Sequence, residues 1–211
     1  MDHRLIAWAR AVKARHGHRA PPPLWLFTDT LRLPDPLAAV ARLPRGLCGV
    51  VLRDDARPDR AALAARLARI CRQRRLTLVL AGDPRLARRL GVGQHWRAGR
   101  PGGASGGQRP TTASAHDPAE LARALAAGAR VVFVSPVLPS QSHPGAPALG
   151  PARLGLLIRR AHPGRAHPGS AHPGSTRSAG ARLAGLGGIT GQSVRRLPPG
   201  ITAAAAIGAL V

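Results

Sequence analysis

At 211 residues the chain has the length of one ordinary domain, long enough for a buried core and just inside the range in which an eight-fold barrel can close. Its 32 Lys and Arg against 9 Asp and Glu leave a formal charge of +23, a balance that elsewhere signals nucleic acid. Lys13 is the only lysine, tyrosine is absent and the arginines fall singly through helix-like stretches, so the distribution argues against nucleic acid; no apolar run reaches the roughly 20 residues a membrane helix needs.

Residues 1–22 form a basic amphipathic segment in which Leu5, Ile6, Trp8, Ala9 and Val12 share one helical face. Asp2, the scarcity of serine and the run Pro21-Pro22-Pro23 speak against a transit peptide and for a helix covering the bottom of the fold. Residues 23–211 then alternate between two periodicities. Leu24 to Thr28 reads as a buried strand, a helix follows near Pro36 to Leu43, and Gly49-Val50-Val51-Leu52 is apolar throughout, as a parallel strand covered on both faces should be. Asp59 caps a helix over Arg60 to Arg75, Leu76 to Leu80 is a third strand, and Pro84 opens a third helix with Leu86, Ala87 and Leu90 on one face. Cys48 and Cys71 fall in different elements without CxxC spacing, which fits a reduced, cytoplasmic protein.

From Gly91 to Pro110 the pattern dissolves into Gly, Arg and Ser, so the fourth unit is degenerate or replaced by a loop. It resumes with the strand Thr111 to Ser114, a helix over Pro118 to Ala127, the strand Val131 to Val134 and a helix over Pro151 to Ala161. A low-complexity His-Pro-Gly insertion at 161–178 carries His162, His167 and His172 in a Pro-Gly coil without preformed metal geometry. Leu183 to Leu186, a short helix near Gln192 to Leu197, and Ile201 to Ala205 close the series. Such alternation with short connections makes an α/β fold with a parallel sheet, either a barrel or a doubly wound sheet.

Five loops carry candidate chemistry. Ser140, Ser142 and His143, leaving the Val131 strand, offer hydroxyl and imidazole donors to an anion. Gly187-Gly188 stands between strand and helix, where bare backbone amides can close on phosphate, and Ala205 lies beside the loop after the last strand, the other usual phosphate position of a barrel. Ser114 and His116 end a strand at the same rim, His116 being a candidate acid or base, while Arg53-Asp54-Asp55 supplies a cation and carboxylates.

In that order these motifs resemble the thiamine phosphate synthase/TenI family: L-x-T-D at Leu26, L-R at Leu52-Arg53, S-x-H at Ser114, P-V-x-P-S-x-S ending at Ser142, L-G at Leu149, G-G-I at Gly187 and a terminal A-I. The resemblance implies a small TIM (β/α)8 barrel, degenerate around the fourth unit. It also implies a cytoplasmic transferase of thiamine biosynthesis that joins hydroxymethylpyrimidine diphosphate to thiazole phosphate with release of pyrophosphate. By that resemblance Ser140, Ser142 and Gly188 hold the thiazole phosphate, Arg53 contacts pyrophosphate, Ser114 sits near the leaving group, and Mg²⁺ is the expected cofactor with Asp83 its nearby ligand. The implied partners are the two phosphorylated substrates, with a homo-oligomer left open and no membrane.

Departures stand at Val51, Asp55 and His143, where the family carries Gln and two lysines, and in the missing metal carboxylate of the Gly91 to Gly107 stretch. They bring forward the TenI-like alternatives: a thiazole tautomerase, in which His116 moves a proton without Mg²⁺, or a relative that only binds thiazole phosphate or thiamine phosphate.

Overall fold

The computed structural model describes every residue except 18, 103–109, 140–144, 146, 162–180 and 211. Eight strands, all parallel, close in sequence order: β1 Leu24–Phe27, β2 Cys48–Leu52, β3 Thr77–Ala81, β4 Gly93–Trp96, β5 Thr111–Ala115, β6 Val131–Val134, β7 Arg182–Leu186 and β8 Ile201–Ala206, with β8 paired back to β1. Six helices accompany them: α1 His3–His16, α2 Pro36–Arg42, α3 Arg60–Arg74, α4 Pro84–Leu90, α5 Pro118–Ala126 and α6 Gly150–Ala161. The alternative of a doubly wound sheet is thereby resolved in favour of the barrel.

Each strand divides its side chains between two cores. Leu24 and Leu26 of β1 and Val50 and Leu52 of β2 face outward onto the helices, while Trp25, Phe27 and Val51 join Val79, Phe133, Ala184, Ala203 and Ala205 inside the barrel. The filling is uneven by design. Trp25 meets Phe133 edge-on at 5.4 Å and Phe133 meets Phe27 at 4.9 Å, so the large rings of β1 and β6 reach across toward alanines on β7 and β8. Gly49 of β2 lies flat against the Trp25 ring, where any Cβ would overlap its atoms.

Two elements differ from the sequence expectation. The degenerate stretch contains a real strand, β4, hidden because Gly-Gln-His-Trp is neither alternating nor continuously apolar; no helix follows it among the described residues. And α1 does not cover the bottom. The Asp2 amide donates to the Ala209 carbonyl (3.0 Å), past the C-terminal end of β8, and Lys13 Nζ donates to the Ala20 carbonyl (3.0 Å) on the approach to β1. The helix therefore runs down the outer wall, with Leu5, Ile6 and Ala9 packed in one cluster with Leu24, Leu26, Ala204, Ala206 and Leu210. The apolar outer faces of β1 and β8 need a cover, and only the 3₁₀ turn Gly208–Leu210 follows β8 among the described residues. The stripe on α1 is that cover.

The thiols of Cys48 and Cys71 are buried, which pushes both up to about 12 and makes them inert packing groups. No helix of the described residues is long and apolar enough to cross a membrane.

Because Trp25 is 1% exposed and held by Phe133, the ring cannot yield to a new methyl group at position 49. Gly49→Ala is expected to cost about 1–3 kcal/mol through overpacking, read from the urea midpoint at unchanged m-value.

Candidate functional site

The strand C-termini form one rim, and the loops leaving them bring most of the sequence candidates into three groups. At the β1–β2 edge, Thr28 is fully buried and fixes Arg53 twice: its Oγ1 accepts from the Arg53 amide (3.1 Å) and its carbonyl from Arg53 Nε (3.2 Å). The guanidinium then reaches Asp29 at 2.9 Å. Burial pushes the Asp29 carboxyl up, but the Arg32 amide, the Arg53 hydrogen bond and its charge outweigh this and hold it below the usual carboxylate value.

Next to it, Asp55 is shared by two guanidiniums, Arg60 at 3.3 Å and Arg97, which leaves the end of β4. Arg60 also donates to the Ala81 carbonyl, tying β3 into the group. Asp54 accepts from Thr30 Oγ1 (3.0 Å). Arg60 and Arg97 escape a reading by sequence motif, because Arg97 becomes a rim residue only once β4 is recognised.

The third group lies at β5 and β6. Ser114 Oγ accepts from the Ala98 amide (3.3 Å), so this hydroxyl holds the turn after β4. His116 is fixed at both ends: its amide donates to Glu120 Oε2 (2.7 Å), and Nδ1 lies 3.2 Å from both the carbonyl oxygen and the Oγ of Ser135. The carbonyl only accepts and the hydroxyl can donate or accept, so the ring is held by Ser135 through Nδ1 in either tautomer; with the hydrogen on Nδ1, Nε2 carries the lone pair. Ser135 is the partner that the motif reading passed over in favour of the hydroxyls further along its loop.

Gly187 and Gly188 follow β7 with φ of +95° and +65°, conformations that favour glycine, and Gly188 lies so close to Leu138 and Pro139 that a side chain would collide. The Gly188 amide donates to no acceptor among the described residues, while its carbonyl accepts from Ser193 Oγ (2.8 Å). Gly191, three residues on, gives its amide to Asp2 Oδ2 (2.6 Å), a contact no local pattern announces. Ala205 lies within β8, in register with Leu186 and Trp25, so it belongs to the barrel lining and the loop itself begins after Ala206. Ser140, Ser142, His143 and the His-Pro-Gly insertion lie outside the described residues.

Among the described residues the carboxylates stand apart from one another, each with its own partners. Asp83 Oδ1 caps α4 by accepting from the Leu86 amide (2.8 Å), Asp29 and Asp55 are held by guanidiniums, and residues 97–110 contain no acidic side chain. No three His, Cys, Asp or Glu side chains gather to hold a metal ion among the described residues. The described residues therefore offer no dedicated all-protein cage for a metal, whereas Mg²⁺ is ordinarily held by one or two carboxylates together with substrate phosphates and water.

Beneath the rim, His95 of β4 points into the barrel, 6% exposed, with Nδ1 at 2.8 Å from Thr112 Oγ1 and its ring edge-on to Phe27 at 5.6 Å. Desolvation, followed by the nearby charges of Arg97 and Arg53, lowers it from 6.5 to about 3. It is a neutral structural imidazole under the arginine groups.

A closed barrel of eight parallel strands, with a Gly-Gly turn after β7, guanidiniums after β2 and β4 and an imidazole after β5 on one rim, is a TIM barrel. The chain belongs to the thiamine monophosphate synthase (TMP-TENI) family, whose sequence model matches residues 32–210. No curated protein matches it in sequence. Among solved structures, thiamine phosphate pyrophosphorylase from Pyrococcus furiosus is similar at 18% identity and a TM-score of 0.65, over 87% of this chain and 84% of that one. The enzyme of the same name from Bacteroides thetaiotaomicron is similar at 17% identity and a TM-score of 0.54, over 89% and 83%. At these identities the likeness carries the fold.

The depressed imidazole makes a prediction with a definite sign. The unfolded chain protonates His95 near 6.5 and the folded chain only near 3, so its contribution is complete above 6.5 and is lost as pH falls between those values. His95→Gln is expected to flatten this limb of a plot of melting temperature against pH from 7 to 4, whatever its effect at pH 7.

Proposed function

We propose that this barrel acts on a phosphorylated thiazole by proton transfer, as TenI-like members of the family do. The observation that carries the reading is the contrast across the rim: the carboxylates on the β1–β4 side are committed to guanidiniums, a hydroxyl or a helix amide, while His116 on the β5–β6 side is exposed and oriented by Ser135 through Nδ1. The Gly188 amide, with the hydroxyls of Ser140 and Ser142 from the neighbouring loop, would receive the phosphate. Gly187 contributes the turn, and His143 adds a donor. The substrate ring then lies between the β7 turn and His116. Nε2 removes a proton from one position of the ring and returns it to another, with Ser135 stabilising the imidazolium that forms in between. This cycle needs no metal.

A second reading, synthesis of thiamine phosphate from thiazole phosphate and the pyrimidine diphosphate, is favoured by one specific observation. Arg53, Arg60 and Arg97 stand together at the ends of β2 to β4, so guanidiniums occupy the side of the rim where a leaving pyrophosphate needs positive charge. In that reading Ser114 lies beside the leaving group.

The two readings separate in one set of assays on the full chain. Exchange of ring protons of thiazole phosphate into D₂O, followed by NMR, is expected to be catalysed, and to fall about 10²–10⁴-fold in His116→Asn while phosphate binding persists. Release of pyrophosphate from the mixed substrates, abolished by Arg53→Ala and indifferent to His116→Asn, would assign synthesis instead.

A further inference from the structure

The charge of the chain is sorted by the direction of its strands. All nine carboxylates stand at the C-terminal end of the barrel: Asp29, Asp54 and Asp55 in loops leaving strands, Asp2, Asp35, Asp83 and Asp117 as helix N-caps, Asp59 just before α3 and Glu120 in the first turn of α5. Every one of these helices begins at that end, so each acidic cap falls there. The opposite end collects the helix C-termini and the strand starts, where arginines cluster and no acid is present.

That end is also hollow. A cavity of about 840 Å³ opens among the starts of β1, β2, β3, β5 and β6, within the size range of small-molecule sites. Five cationic side chains line it: Lys13 from α1, Arg19 from the turn beyond, Arg45 before β2, Arg75 before β3 and Arg130 before β6. No carboxylate is among its lining residues. Arg45 spends one N–H on the Gln73 carbonyl at 3.4 Å, and the guanidiniums of Arg19, Arg75 and Arg130 bond to no acceptor among the described residues. Arg75 is held there by a left-handed backbone, φ +55°, that ends α3. Burial and then the charge of Arg182 lower Lys13 below its ordinary value.

We propose that the N-terminal mouth of the barrel binds a condensed phosphate, a chain of two or three phosphoryl groups, either free or as the tail of a nucleotide. Convergent guanidiniums suit such an anion because each offers a planar pair of N–H donors matched to phosphoryl oxygens. Five elements contribute, so the site is a product of barrel closure. A nucleic acid fits less well. Single strands are held by exposed stacking rings, and Trp25, the aromatic residue bordering the cavity, is 1% exposed. The site lies at the end of the barrel opposite His116 and does not depend on the proposed proton transfer.

The test is calorimetric titration of the full chain with sodium tripolyphosphate, and in a second arm with ATP, at low and at high salt. Saturable binding is expected, weakened by salt, and weaker by about tenfold for each of Arg75→Ala and Arg130→Ala, since each removes charge-assisted hydrogen bonds. Arg75→Lys and Arg130→Lys should restore most of it, and melting curves of all variants check that they fold. Arg69→Ala, on the exposed face of α3, should leave the affinity unchanged. Equal affinity for the two ligands assigns the free anion; tighter binding of ATP assigns the nucleotide tail. The proposal is overturned by no binding, by binding that survives loss of both Arg75 and Arg130, by binding that vanishes in Arg69→Ala, or by an oligonucleotide that competes for the same arginines with higher affinity.

Discussion

Closure of the barrel rests on a size match between opposite walls. Trp25, Phe27 and Phe133 fill more than their share of the interior, and Gly49, Ala184, Ala203 and Ala205 give up the matching volume. An eight-stranded barrel of parallel strands has an interior just wide enough for side chains to fill. A uniform set of middle-sized residues could fill it too, but this chain has few aromatic residues and places three of them in that space. Everything at the rim inherits its position from this packing: Thr28 follows Phe27 and anchors Arg53, Ser135 follows Val134 and holds His116, and His95 meets Phe27 edge-on to close the interior below them.

The same closure decides where charge can lie. In a fold whose strands are all parallel, the helices between them all start at one end, and acidic caps satisfy the exposed amides of their first turns. Arginines near helix C-termini meet free carbonyls, as Arg74 does at Leu43 (2.7 Å) and Arg72 at Leu90 (3.4 Å). A composition with 32 cations and 9 anions thereby becomes a polar object, mixed at one mouth and cationic at the other. The arginines that fall singly along the sequence meet in space because successive helix ends are brought to one face.

Seven of the eight strands were legible in the sequence within a residue or so, since runs such as Val131-Val132-Phe133-Val134 have no other plausible home. The order of loop motifs then carried the family and the barrel. What stayed hidden has common physical causes. β4 is a short strand whose His95 is acceptable inside only because Thr112 bonds it and two arginines help keep it neutral, a compensation visible only in three dimensions. The station of α1 depends on which neighbour lacks a cover, information held nearly the whole chain away at β8. Ser114 and His116 were identifiable as rim residues by their place at a strand end. The pairing of Asp55 with Arg60 and Arg97, by contrast, joins three loops and has no local signature.

The contact between Asp2 and Gly191 links residues 189 positions apart, so the first helix and the turn after β7 share a carboxylate. The helix can dock in this way only after β8 has come round to β1, because its apolar stripe rests on both. Its docking is thus a late event that records completion of the ring, in a topology already slowed by distant pairings. A chain that has just emerged and lacks β8 would carry Leu5, Ile6 and Ala9 uncovered beside a row of arginines. Until the last strand arrives, α1 is a sticky cationic helix, which makes synthesis the period in which this fold is most exposed to unwanted partners.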